Sequence, residues 1–198
     1  MYNRIIRTME KGDVSTMDIA VLFPGIGYTC DRPLLYYAAK AAAARGRAVV
    51  RLSFSGFPAG VKGDADKMAA ALALAYGQAE EALRDTDFGA YGRVMFIGKS
   101  IGTAVAARYA HEHGVHARMA LLTPLAETFA VPVVDAVAFH GTADPWADTP
   151  AIRRACAAQG IPLRLTEGAN HSLETGDVMR DLETLCATVR AIDAMLRG

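Results

Sequence analysis

The chain has 198 residues, 52% of them hydrophobic and 21% charged, and its 21 Lys+Arg balance its 21 Asp+Glu. That length is read as one domain over residues 1–198 with a large buried core, and that composition excludes a disordered chain. Zero net charge removes the electrostatic reason to expect a nucleic acid or an anionic membrane as partner. The first residues, Met1 to Thr8, lack the apolar core of a secretory signal, and no apolar run approaches the ~20 residues of a membrane span. Three widely spaced cysteines, Cys30, Cys156 and Cys186, fit reduced thiols and a cytoplasmic location rather than a disulfide framework.

In chain order, residues 3–8 are read as a short first strand. Asp18 to Phe23 is a second, nearly all apolar, as suits a strand covered on both faces. Asp31 and Pro33 supply helix-start chemistry for an alanine-rich helix over 32–45 that Gly46 closes. A strand over 48–53 leads into the Phe54–Gly60 loop. A helix follows over 64–83, with Met68, Leu72, Tyr76, Ala79 and Leu83 as its apolar stripe. Residues 93–97 read as a strand and 100–112 as a helix. Short strands follow near 120–123 and 135–140. Thr149 and Pro150 open a helix closed by Gly160. A strand over 161–166 carries a proline near its start, which argues for a sheet edge. The last helix has Val178, Leu182, Leu185, Val189, Ile192 and Leu196 on one stripe.

Strands alternate with helices throughout. That pattern implies an α/β three-layer sandwich: a mostly parallel sheet of about six or seven strands with helices on both faces and right-handed crossovers. Reacting groups in such sheets collect in loops at the carboxyl ends of the strands.

The stretch Val94 to Gly102 carries the first such group. It has the form Gly-x-Ser-x-Gly, with Gly98, Ser100 and Gly102 between a strand and a helix. With five serines and 18 glycines in the chain, chance supplies about 0.04 such matches. A serine on that turn is pushed out above the sheet, where a base can reach its hydroxyl, and the amide of Ile101 lies beside it as a donor for a developing oxyanion. A phosphate-binding loop ending in Gly98-Lys99-Ser100 is excluded, because the required first glycine is Arg93. The dinucleotide pattern starting at Gly25 fails in the same way, its third glycine being Cys30.

A serine nucleophile needs a base and an orienting acid. His171 follows the last strand and precedes the last helix, at a strand's carboxyl end. Asp144 lies just past the strand that ends in His140, and His140 itself is read as holding that turn. Asp148 is read as a helix start and Glu167 as a rim acid. His111, His113 and His116 fall at the far end of the helix after Ser100, and Val115 breaks the zinc pattern His-Glu-x-x-His. No metal is expected.

Taken together, Leu22 to Gly25, Gly98 to Gly102, His140 to Pro145 and Gly168 to His171 resemble the α/β-hydrolase superfamily of serine hydrolases, whose nucleophile, acid and base follow in that chain order. The resemblance covers Ile19 to the C-terminus. The Gly-Lys-Ser form of the turn is similar to small lidless, dienelactone-hydrolase-like members. The resemblance implies a single α/β-hydrolase domain without a lid, with Ser100, Asp144 and His171 as catalytic residues and no cofactor. It implies an oxyanion hole from the backbone N–H groups of Ile26 and Ile101. The superfamily's first oxyanion loop usually begins His-Gly; here it begins Pro24-Gly25.

The implied reaction is cleavage of an ester or related acyl bond in a small molecule through an acyl-enzyme on Ser100. Tyr28, Phe54, Phe57 and Trp146 are the candidate substrate-lining residues. A non-catalytic binding or scaffold protein and an acyltransferase using the same serine are the alternatives, and a homodimer is compatible with the composition.

Overall fold

The computed structural model describes residues 16–197. The strand expected over 3–8 lies outside the described residues. Six strands form one sheet: β1 Ile19–Phe23, β2 Ala48–Arg51, β3 Val94–Lys99, β4 Ala117–Leu122, β5 Ala136–Gly141 and β6 Leu163–Thr166. Their order is β2-β1-β3-β4-β5-β6, and every pair is parallel. Five α-helices connect or follow them: α1 Pro33–Ala44, α2 Ala65–Leu83, α3 Ile101–His113, α4 Thr149–Ala158 and α5 Val178–Arg197.

Alternation along the strands builds two cores. Ile19, Val21, Phe23 and Phe96 face the layer of α2, α3 and α4, where Phe23 and Phe96 lie 4.9 Å apart. Ala20, Leu22, Met95 and Ile97 face α1 and α5. All five residues of β1 are buried because both faces are covered. Each such large side chain contributes about 1.5–3 kcal/mol by leaving water.

This strand order has a functional consequence. β1 lies between β2 and β3, so the chain leaves β1 toward the α1 face and leaves β3 toward the α3 face. The two departures open a crevice at the carboxyl ends of β1 and β3, where open parallel sheets bind ligands. Ser100 is the residue that follows β3.

The edge position of β6 agrees with Pro162 next to its start. Other details differ from the sequence pattern. Asp31 does not cap α1: extended Arg32 precedes the helix without a side-chain cap, and Asp31 is exposed, 3.7 Å from Arg51. The buried face of α2 runs through Ala71, Ala75, Tyr76, Ala79 and Leu83, with Met68 and Leu72 half-buried at its border. The start of the α5 stripe is not core: Val178 and Leu182 are 70% and 53% exposed, and burial is confined to Thr188, Ala191, Ile192 and Leu196. Helical period shows that a stripe exists, whereas its burial depends on how far the neighbouring layer reaches. Two 3-10 turns, Phe88–Ala90 and Ala126–Ala130, were not evident in the pattern.

Candidate active site

Ser100 sits at φ 57, ψ −125, a conformation that costs on the order of 1–3 kcal/mol in a residue with a side chain. Neighbouring groups hold it there. Its N–H donates to the Leu122 carbonyl at 2.9 Å, and its carbonyl accepts from the Thr103 N–H at 2.9 Å and the Thr103 hydroxyl at 2.6 Å. Behind Thr103 runs a buried chain: the Leu125 N–H donates to Thr128 Oγ1 at 3.1 Å, and Thr128 Oγ1 lies 2.6 Å from Thr103 Oγ1. Since Thr103 gives its proton to Ser100, Thr128 is the donor in that pair. Each hydroxyl therefore accepts and donates, which strengthens both bonds.

The flanking glycines answer to close backbone approach. A Cβ at Gly98 would come within 2.7 Å of Thr103 Cα, and one at Gly102 would overlap the Phe23 and Pro24 carbonyls. Gly25 lies against the serine itself, where an added Cβ would meet Ser100 Cβ at 3.1 Å. Gly25 and Tyr28 exchange backbone hydrogen bonds at 3.0 and 3.3 Å, so Ile26 begins a tight turn beside Ser100. Ile101 begins α3 on the serine's other side.

The His171 loop is folded onto the end of β5. A Cβ on Gly141 would come within 2.7 Å of the Asn170 carbonyl oxygen, so only glycine admits the loop at that distance. The Ala143 N–H donates to the Ala169 carbonyl at 2.9 Å, and Gly168 N–H to Thr142 Oγ1 at 2.8 Å. Asn170 Oδ1 accepts from the amides of Ser172 and Glu174 at 2.7 and 3.2 Å, closing the turn just past His171.

These constraints bring three side chains together. His171 Nε2 lies 2.7 Å from Ser100 Oγ, and His171 Nδ1 lies 2.7 Å from Asp144 Oδ2. An ionised carboxylate only accepts, so Nδ1 carries the proton and Nε2 accepts from the serine hydroxyl. The second oxygen, Asp144 Oδ1, takes the Trp146 N–H at 2.8 Å. Burial works to raise the Asp144 carboxyl, but the hydrogen bonds from His171 and Trp146 outweigh it and hold the group below the usual carboxylate range. Burial pushes His171 down by more than its hydrogen bond to Asp144 raises it, with the Lys99 cation adding to the fall. The resting state is therefore an ionised acid and a neutral imidazole facing a hydroxyl.

The remaining candidates take distinct places. His140 is fully buried and held neutral by desolvation; its Nε2 lies 2.9 Å from Thr149 Oγ1 at the start of α4, and its Nδ1 lies 3.7 Å from Asp144 Oδ2. Asp148 caps α4 by accepting from the Ala151 N–H. Glu167 is exposed. His113 stacks on Tyr109 at the far end of α3, and among the described residues no group of three or more His, Cys, Asp or Glu could hold a metal ion. Cys30 is a packed thiol 3.4 Å from the Leu52 carbonyl, raised to about 11 by burial.

Trp146 stacks on the His171 ring, centroids 5.3 Å apart. Its other surroundings include a cavity of about 460 Å³ bounded by Val61, Met68, Leu125 and Ile152. Ile26, Phe57 and Trp146 pack on the small buried cluster around Ile101. Phe54 packs against the large core on the α2 and α3 side, which Phe57 also touches. The Tyr28 hydroxyl accepts from the Leu34 N–H at 3.1 Å, and Lys99 Nζ lies 4.9 Å from its ring centroid. A larger cleft of about 720 Å³ lies at the opposite ends of α2 and α3, near Glu80 and His113. It is about 20 Å from Ser100 along α3. Sequence reasoning overlooked Thr103, Thr128, Gly141 and Lys99. For Lys99 and Gly141, each the last residue of a strand, that position was the available signal; Thr103 and Thr128 had none.

No protein-family model matches the chain, and no curated protein matches it. Solved structures do. The chain is similar to an alpha-beta serine hydrolase homologue from Coxiella burnetii, at TM-score 0.59 and 16% identity over 91% of this chain and 87% of the other. It is similar to a serine hydrolase without lid from Xanthomonas campestris, at TM-score 0.56 and 18% identity over 94% and 86%. It is also similar to the Bacillus cereus carboxylesterase, at TM-score 0.54 and 16% identity over 90% and 92%. With identities this low the likeness is one of architecture, and together with the six-stranded parallel sheet it identifies the chain as having the α/β-hydrolase fold.

Proposed function

We propose that the chain is a serine hydrolase that cleaves an ester or related acyl bond of a small molecule. The observation that carries this reading is the pair of 2.7 Å contacts linking Ser100 to His171 and His171 to Asp144. In this reading His171 takes the Ser100 proton as Oγ attacks an acyl carbonyl. Asp144 keeps the imidazole in the required tautomer and stabilises its cation. The amides of Ile26 and Ile101 bind the tetrahedral oxyanion, each such donor being worth about 3–4 kcal/mol. His171 then protonates the leaving group, an acyl-serine remains, and water releases the acid by the same route.

Ser100 is 5% exposed and the Asp144 side chain fully buried, an arrangement in which substrate reaches the nucleophile while the acid stays dry. The cavity beyond Trp146 is the space this reading gives to an apolar part of the substrate. The structural likeness to a carboxylesterase agrees with ester chemistry. Labelling with a fluorophosphonate tests the proposal. The reagent is expected to modify Ser100, identified by peptide mass, and labelling is expected to vanish in Ser100→Ala and fall on the order of 10⁴-fold or more in His171→Ala. A chain that resists labelling at every pH, or labels equally well without His171, refutes it. Added alcohols or amines then show whether water is the acceptor.

A further inference from the structure

Lys99 is the last residue of β3, immediately before Ser100. Strand alternation puts it on the face of Met95 and Ile97, toward α1 and α5. It is 1% exposed, among the largest fully buried side chains of the described residues. A buried ammonium is expected to sit in an ion pair, yet here its nitrogen lies over a ring, 4.9 Å from the Tyr28 centroid. The buried carboxylate of the site, Asp144, is paired with His171 and approached by His140. The Asp144 charge nonetheless favours the charged form of Lys99, and Lys99 in turn disfavours a charge on His171.

We propose that Lys99 is a positioning residue of this site: a buried cation that counters the Asp144 carboxylate and sets the pH range over which His171 can take the Ser100 proton. The inference rests on the reading of Ser100, Asp144 and His171 as a hydrolytic triad. The groups that act on Lys99, Tyr28 by contact and the others through charge, come from three elements. Tyr28 comes from the loop after β1, with Arg32 and Glu174 acting on it in turn. Asp144 comes from the loop after β5, with His140 behind it on the strand. His171 comes from the loop after β6. Asp144 is the anion among them that acts on Lys99 directly.

The electrostatics have a definite sign. Desolvation lowers Lys99 to about 7 and Asp144 partly opposes it. On the acid limb of the reaction, where His171 takes up its proton, Lys99 is therefore already charged. A like charge nearby disfavours the imidazolium, so His171 stays a free base to lower pH. Removing the cation moves that limb upward. Below neutral pH the same cation offsets the negative Asp144, and near pH 7, where Lys99 begins to release its proton, that offset fades.

The test measures the rate of fluorophosphonate labelling of Ser100 against pH in the wild type, Lys99→Met and Lys99→Arg. The acid limb is expected to move to higher pH in Lys99→Met, read as a fall of at least about threefold in the ratio of the rate on that limb to the rate on the plateau at about pH 8. In Lys99→Arg, which keeps the charge, the ratio is expected to stay within about twofold of wild type. A folded Lys99→Met protein whose profile superimposes on the wild type overturns the proposal and leaves Lys99 a space-filling residue. NMR titration of the His171 imidazole nitrogens in the wild type needs neither substitution nor labelling. Two inflections are expected, its own and a smaller one near pH 7 where Lys99 releases its proton. A single inflection overturns the coupling. Failure of the wild type to label at any pH refutes the hydrolase reading separately.

Discussion

Replacing Asp144 by Asn is the sharpest probe of the site, because both carboxylate oxygens are committed. Oδ2 accepts from His171 Nδ1 at 2.7 Å and Oδ1 accepts from the Trp146 N–H at 2.8 Å. An asparagine amide has one acceptor and one donor end, so it cannot satisfy both. With its NH₂ toward His171, the imidazole must accept at Nδ1 and carry its proton on Nε2, facing Ser100 as a donor. The base is then in the wrong tautomer. With its oxygen toward His171, its NH₂ meets the Trp146 N–H donor to donor in a fully buried place. That costs about 1–3 kcal/mol and still removes the negative charge that stabilises the imidazolium. The same exchange in a comparable triad costs about 10⁴ in rate, or about 5 kcal/mol. Asp144→Asn is therefore expected to slow fluorophosphonate labelling of Ser100 by 10³- to 10⁴-fold (an order-of-magnitude range). It is also expected to lower the melting temperature by a few degrees. Labelling kinetics and thermal melts on the same preparation check both. A folded Asp144→Asn protein that labels within about tenfold of wild type refutes the tautomer argument.

Gly102→Ala is expected to destabilise the fold by about 2–3 kcal/mol, because the new Cβ lands on the carbonyls of Phe23 and Pro24 and α3 must move away from β1. A urea midpoint unchanged from wild type would contradict that contact. Lys99 also makes stability depend on pH. Its folded value, about 7, lies below its ordinary 10.5, so the unfolded chain binds the proton that the folded chain releases. Stability is expected to rise with pH above about 7, and Lys99→Met, with nothing to release, is expected to lack that rise. Urea midpoints at about pH 7 and 8.5 read the difference, and the cysteines, which begin to titrate in the unfolded chain near the upper pH, act alike in both proteins and cancel in the comparison. Equal slopes in the two proteins would count against a desolvated ammonium at this position.

Much of the fold was legible in local pattern. A continuous apolar run marked Asp18–Phe23 as a strand covered on both faces, the short strand read at 135–140 is β5, and Pro162 correctly placed β6 at an edge. Patterns failed where burial depends on a distant neighbour. The first turns of α5 have helical period yet meet no covering layer, so Val178 and Leu182 remain in water. Phe54 and Phe57 sit in a loop, yet that loop rests both rings partly on the core, a contact their sequence positions do not signal.

The same division runs through the candidate site. Ser100 declared itself through two glycines at fixed spacing, since a turn that tight excludes a Cβ whatever lies around it. His171 and Asp144 were nominated by their places at strand ends. Their approach to Ser100 depends on backbone contacts made across the sheet, such as the seat of Asn170 against Gly141. The hydroxyl chain from Leu125 through Thr128 and Thr103 to the serine carbonyl has no signature in sequence, because its members are 25 residues apart.

What the amino-acid order determined by itself was the alternation of strands and helices and the turn that presents Ser100, both consequences of side-chain periodicity and backbone sterics within a few residues. What only the tertiary structure decided was the charge state of the site. Whether Lys99 faces water or a tyrosine ring, and whether Asp144 keeps its proton, depends on desolvation and on donors that separate strand ends bring together. Electrostatic energies are set by distances through space, and the fold alone defines those distances.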